Sequence, residues 1–149
     1  MFTFKSQTVK QAYDYWRSKC HGDRLPSRAN IRPSEITRLL PYVYLVDVIG
    51  DPPVFKYRLV GTQFYSWTGR EYTGVTVNAA EYGPNWENIY KDYCVAVRDR
   101  APVCSEYIAA PWPEREFLTY ERIIAPLSDD GLAVNMLFGA LDVLPKPAP

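Results

Sequence analysis

The sequence predicts an α+β domain: a five-stranded antiparallel sheet, helices packed on one face of it, and an extra amphipathic helix at the N-terminus. Three observations carry that reading. Residues 42–49 and 54–61, rich in β-branched and aromatic side chains, flank Gly50-Asp51-Pro52-Pro53 and so read as a hairpin. Trp86, Ile89, Tyr90, Tyr93 and Val97 recur at helical spacing, the stripe of a helix packed on one side. Three apolar runs then follow, 103–110, 117–127 and 132–143. The last two are joined by Ser128-Asp129-Asp130-Gly131, with glycine at the left-handed turn position. A hairpin, a helical crossing and a three-stranded meander make one antiparallel sheet with a helical layer.

The elements follow in order. Ser6 caps a first helix over 7–20, where Val9, Tyr13, Trp16 and Cys20 share one face and Gly22 is the stop signal. A single helix cannot bury that stripe alone. It packs on this domain or on a second copy, and Val9, Tyr13 and Trp16 are the expected interface residues. Residues 25–41 read as a loop and a second helix, with Pro33 at the first helical position, Glu35 in the first turn and Pro41 ending it. Ile36, Leu39 and Leu40 form its inner face.

In residues 55–74, Phe55, Tyr57 and Leu59 alternate with Lys56, Arg58 and Val60, so the strand presents two faces. Gly61 allows a sharp change of direction, and Thr62 is an N-cap for about one helical turn. Gly69 suits the left-handed position past that turn, and Gly74 ends the loop. Residues 75–82 read as irregular and 83–98 as the long helix, with no internal repeat anywhere. The expected division is 1–24 as helix and linker, 25–144 as the main domain and 145–149 as a proline-rich tail, one domain overall.

Composition narrows the class. A chain of 149 residues, 47% hydrophobic and 23% charged, is ordinary for one globular domain. Seventeen basic residues balance seventeen acidic ones, which leaves no electrostatic case for nucleic acid or an anionic membrane. No apolar run spans a bilayer, and the N-terminus lacks a signal-peptide core. Cys20, Cys94 and Cys104 are scattered and make neither a disulfide framework nor a zinc site, so a reducing, cytoplasmic setting is expected. Aromatic residues make up 15%, mostly tyrosine, whose apolar body and polar tip suit a packed sheet face, a half-wet pocket or an interface.

The order of elements and a set of short motifs resemble the PAS superfamily, and within it a stand-alone bacterial family common in alphaproteobacteria. The motifs are Tyr15-Trp16, Leu25-Pro26-Ser27-Arg28 with Pro33, Glu35-Ile36 and Leu40-Pro41, then Arg58 with Gly61-Thr62, and Gly69-Arg70 with Thr73-Gly74. The strand and hairpin over 122–131, starting at Arg122, also fit. Asn30 and Arg32 stand where that family is often acidic. The resemblance covers nearly the whole chain and implies a PAS-like fold with a role in sensing or interaction.

The cofactors that such a resemblance brings to mind find few ligands here. The loop after the short helix, Gly69-Arg70-Glu71-Tyr72, lacks the cysteine of a flavin adduct. For haem, His21 lies just past the first helix and Cys94 is the better-placed axial residue, although a buried inert thiol is the simpler account. What remains is an aromatic interior with polar tips: Tyr65, Trp67, Tyr93, Tyr107 and Tyr120 as lining, with Arg58 or Arg70 to meet a carboxylate or phosphate. The expectation is a non-catalytic sensory module that binds a small apolar or amphipathic ligand, a protein partner, or both. Its output would pass in trans, as a homodimer or to another signalling protein. Two other classes are compatible with the residues. One is a small cone-shaped enzyme with Glu106 or Glu121 as base; the other is a structural adaptor with a filled core.

Overall fold

A computed structural model describes residues 2–146; the end of the proline-rich tail, 147–149, lies outside the described residues. Five strands form one sheet: β1 (Val43–Ile49), β2 (Val54–Val60), β3 (Val103–Tyr107), β4 (Tyr120–Leu127) and β5 (Met136–Val143). Every pair is antiparallel, as the sequence predicts, and their order is β2-β1-β5-β4-β3, with the last strand brought beside the first. The first hairpin pairs Asp47 with Lys56 and Tyr44 with Val60, with a register shift between Leu45 and Val46.

Four α-helices accompany the sheet: α1 (Gln7–Ser18), α2 (Gln63–Thr68), α3 (Ala79–Tyr82) and α4 (Trp86–Asp99). Among the described residues no helix is long and apolar enough to cross a membrane. α4 crosses β3 and β4, while α1 lies along β4 and β5. Two adjacent residues show that these are opposite faces of the sheet, since neighbouring strand side chains point apart. Glu121 accepts from the backbone N–H groups of Lys5 and Ser6 at 2.8 and 3.0 Å, and Arg122 donates to Asp92 of α4 at 2.9 Å. β4 is therefore covered on both sides, and all of its residues are buried.

The seating of α1 corrects an expectation. The sequence left open whether this helix packs on its own domain or on a second copy, and named Val9, Tyr13 and Trp16 as interface residues. In the structure its stripe closes the chain's own core. Val9 and Ala12 are fully buried, Trp16 is 3% exposed, and Tyr13 packs edge-on against Phe2 at 5.4 Å. The Trp16 indole Nε1 donates to the Pro126 carbonyl at 2.9 Å. Ser6 caps the helix through Val9 N–H at 3.1 Å and donates to Asp142 of β5 at 2.8 Å, so the cap is also a tether.

Residues 25–41 hold no α-helix. They form 3₁₀ turns at Arg28–Asn30, Pro33–Glu35 and Leu40–Tyr42. The chain leaves helical dihedrals at Ile36, φ −132°, ψ 36°, which ends the turn begun at Pro33 after three residues. The segment is held by its side chains instead. Ile36 and Leu39 are buried as predicted, and the Tyr15 hydroxyl accepts from Arg32 N–H at 2.9 Å while donating to Glu35 at 2.9 Å.

Gly61 is required for a reason other than its dihedrals. A Cβ there would lie 2.3 Å from the Pro41 carbonyl oxygen, so only glycine lets the end of β2 pass under residues 40–41. Thr62 occupies the cap position of α2 but makes no capping bond, whereas Gly69 takes the left-handed position at its end, φ 77°. Gly74 bonds to the Tyr57 carbonyl at 2.7 Å, and residues 75–77 then run along the free edge of β2. Tyr57 N–H meets the Val75 carbonyl at 3.0 Å, and Val77 N–H meets the Phe55 carbonyl at 2.9 Å. The stretch that reads as irregular thus covers a sheet edge that would otherwise invite pairing.

Truncating Trp16→Ala removes a buried ring and leaves the Pro126 carbonyl unpaired. The loss of stability expected in urea unfolding is about 3–5 kcal/mol, with the hydrodynamic size unchanged. A subunit seam would give the reverse: a smaller particle by light scattering and a monomer of undiminished stability.

Candidate functional site

Between the α4 face of the sheet and the helices lies a cavity built almost wholly from rings. Every strand except β3 contributes: Tyr44 from β1, Tyr57 from β2, Tyr120 and Arg122 from β4 and Leu141 from β5. The helical side supplies Phe64 of α2, Tyr82 of α3, and Ile89 and Tyr93 of α4, while Tyr72 and Trp112 close it from loops. The space open to the centre of a water molecule is about 30 Å³. That admits a few waters or a compact molecule, well short of the ~300–1,000 Å³ of a drug-sized site.

Backbone geometry explains why the rings meet here. Tyr44 faces Gly139 across the β1–β5 ladder, and a Cβ on Gly139 would lie 2.2 Å from the Tyr44 ring. The missing side chain on β5 is the space in which that ring lies, an aromatic cover over a strand glycine. Tyr44 then meets Tyr57 and Phe64 edge-on at 5.9 and 5.4 Å. On the other side Tyr120 is sandwiched between Tyr107 and Trp112, stacked at 5.1 and 5.2 Å.

Polar tips are threaded through this wall. The Tyr57 hydroxyl lies 2.7 Å from that of Tyr82 and 2.9 Å from that of Tyr93. Arg122, 3% exposed, is held between the Tyr93 and Tyr107 rings with its guanidinium carbon 5.1 and 5.0 Å from their centres. Its Nη2 donates to Asp92 at 2.9 Å and to the Tyr107 hydroxyl at 3.1 Å. Asp92 accepts as well from Tyr107 at 2.6 Å and Ser105 at 2.8 Å. A buried arginine is tolerable only with such partners.

Of the residues expected to bind a ligand, Tyr93 and Tyr120 line the cavity, and Tyr107 backs it through Arg122 and Asp92. The others lie elsewhere. Arg58 points to solvent and pairs with Asp47 at 2.9 Å. Tyr65 is 61% exposed. Trp67 packs against Tyr42 and Phe64 outside the cavity. Arg70 pairs with Glu81 at 2.6 Å and rests on the Tyr72 ring at 4.6 Å. The buried arginine is Arg122, which sequence reasoning did not place in the site. The signal was present: Arg122 stands two residues after Tyr120, on the same face of a strand. Tyr44, Tyr57, Tyr72 and Tyr82 were missed because a tyrosine in an apolar run carries no mark of which side it faces.

Burial pushes the phenols of Tyr44, Tyr57 and Tyr82 well above the usual 10.0, because a phenolate has no water to solvate it. Burial likewise carries Tyr107 to about 12. At neutral pH these tyrosines are uncharged and keep their protons to donate. Below pH 10 both folded and unfolded chains hold the protons, and stability is at its full value. Above it the unfolded chain releases protons that the folded chain retains. Stability is then expected to fall by up to about 1.4 kcal/mol per pH unit for each buried tyrosine. Urea unfolding as a function of pH should show a plateau ending near the ordinary tyrosine pKa. Phenolate absorbance from these residues should appear only together with unfolding.

Comparison with known proteins agrees with this architecture. The PAS domain family matches residues 4–142. No curated protein matches the chain. Among solved structures, a sensory box sensor histidine kinase from Vibrio cholerae is similar at a TM-score of 0.54 and 14% identity, covering 76% of this chain and 90% of that one. At that identity the likeness is one of fold. The family match runs from before α1 to the penultimate residue of β5, and the chain belongs to the PAS domain family.

Proposed function

We propose that this PAS domain is a non-catalytic sensory module that takes a small molecule into the tyrosine-lined cavity and relays its presence through protein contacts. The observation that carries the reading is the way the cavity is built. One space is walled by four strands on one side and by α2, α3 and α4 on the other. An occupant touches the rigid sheet and the helical layer together, so its binding energy bears on how the helices sit.

Two observations favour binding over catalysis. The carboxylates that an enzyme would need, Glu106 and Glu121, are engaged on the opposite side of the sheet, by Lys5 at 2.8 Å and by two backbone N–H groups. No acidic side chain lines the cavity, and Asp92 behind it is already bonded to three donors. The walls also hold no His, Cys or Met, which speaks against an axial haem ligand and a cysteinyl flavin. Three unpaired cysteines fit a reducing, cytoplasmic setting. The partner, a second copy or another signalling protein, would meet a surface other than the Val9–Trp16 stripe, which the fold consumes.

Native mass spectrometry of the full chain tests the reading, with Ile89→Phe as the control that fills the cavity. The expected result is a small molecule retained by the wild type and absent from the variant, with the wild type losing thermal stability once the molecule is removed. A wild type that carries nothing, and whose melting is unmoved by a panel of small metabolites, would instead mark a structural adaptor.

A further inference from the structure

Among the described residues, three buried side-chain polar atoms have no hydrogen-bond partner: the hydroxyls of Tyr44 and Tyr72 and Nε of Arg122. All three residues line the one cavity described above. Each is nearly inaccessible from outside, at 1%, 3% and 3% exposure. Buried polar groups without partners are rare and costly, and three on residues around one cavity point to a polar occupant; the Arg122 Nε–H among them can only donate.

The proton inventory points the same way. Tyr57, Tyr82 and Tyr93 have three hydroxyl protons and make two hydrogen bonds among themselves, so one proton is left to donate. Arg122 Nε–H can only donate. With no carboxylate on the walls, the polar surface of the cavity is rich in donors and poor in strong acceptors. Its electrostatics are positive on the Arg122 side. The counter-charge, Asp92, lies behind the arginine, is 25% exposed, and divides its oxygens among Arg122, Tyr107 and Ser105. The rest of the wall is hydrocarbon and aromatic carbon, from Val60, Phe64, Ile89 and Leu141. Water alone would satisfy the donors but leave this surface wetted.

We infer that the cavity binds a small organic monocarboxylate, its oxygens taken by Arg122 Nε–H and the Tyr44 and Tyr72 hydroxyls and its carbon chain laid against Phe64, Ile89 and Leu141. This rests on the sensory reading and names the ligand class of the same site. One negative charge suits one partly neutralised guanidinium. Phosphate brings more charge and no apolar part, and is the poorer fit. The volume, about 30 Å³, favours the shortest acids unless the walls yield.

Isothermal titration of the full chain with acetate, propanoate and butanoate, against the matching amides and inorganic phosphate, tests the inference. Saturable binding of at least one carboxylate is expected, with its amide at least about tenfold weaker, since amides do not recruit the charge-assisted bond. Tyr44→Phe and Tyr72→Phe each delete a hydroxyl that bonds to nothing in the free chain. The thermal midpoint without ligand should hold or rise, and carboxylate affinity should drop about five- to tenfold. Affinity unchanged in both variants overturns the inference, as does an amide or phosphate that binds as tightly as the acid. Neutral molecules retained in native mass spectra, with no carboxylate binding, would overturn the ligand class and leave the sensory reading standing. An empty protein that binds nothing in either experiment would bring down both.

Discussion

One buried charge organises the domain. Arg122 sits on the central part of the sheet, inaccessible to water, and survives there because Asp92 and Tyr107 take its Nη2 and two tyrosine rings cover its faces. Taking a guanidinium out of water costs several kcal/mol, and removing one partner of a buried pair typically costs about 3–5 kcal/mol. The pair therefore constrains where α4 lies on β3 and β4. It also brings Ser105, Tyr107 and Tyr93 to the same corner, since each has a polar group or ring that the arginine or Asp92 uses. The next residue in the strand, Glu121, does the same for the other face, where its carboxylate receives the backbone entering α1. Two consecutive charged residues thus fasten the two helical layers to opposite sides of one strand.

The preference for tyrosine over phenylalanine has a consequence for the interior. A core of phenylalanines would be dry and indifferent to what filled it. Here the rings pack as hydrocarbon, T-shaped or stacked, while hydroxyls line the space where they converge. The Tyr57–Tyr82–Tyr93 chain links a strand to two helices through hydroxyls alone. Such contacts are cheaper to rearrange than interlocked methyl groups.

Much of the fold was legible because it rests on local rules. The hairpin turn at 50–53, the glycine-ended turn at 128–131 and the helical stripe of α4 each follow from spacing and turn chemistry within a few residues. The antiparallel sheet with a helical crossing follows from these pieces, whereas the pairing of β5 with β1 that joins hairpin to meander came from the tertiary structure. Less of the site was legible. Arg58 and Arg122 both stand in strands among apolar and aromatic neighbours, yet one meets solvent and Asp47 while the other is buried with Asp92. Thr62 has the identity of a cap but makes no capping bond, and the glycine after β2 is needed for the approach of Pro41, twenty positions earlier in the chain. Residues 25–41 carry helical spacing at Ile36, Leu39 and Leu40 without continuous helical backbone, because the chain leaves helical dihedrals at Ile36.

Sequence alone determined the five strands, the first and the long helix and their order along the chain, the covering need of the first helix and the aromatic character of the interior, because periodicity, capping and turn preferences act between near neighbours. Tertiary structure alone decided that α1 covers the chain's own sheet, that Arg122 and not Arg58 is the buried cation, and that three residues around one cavity each keep a buried polar atom without a partner. Which face of a strand is buried depends on what packs against it from far along the chain. A residue's chemistry does not contain that information until the layers have met.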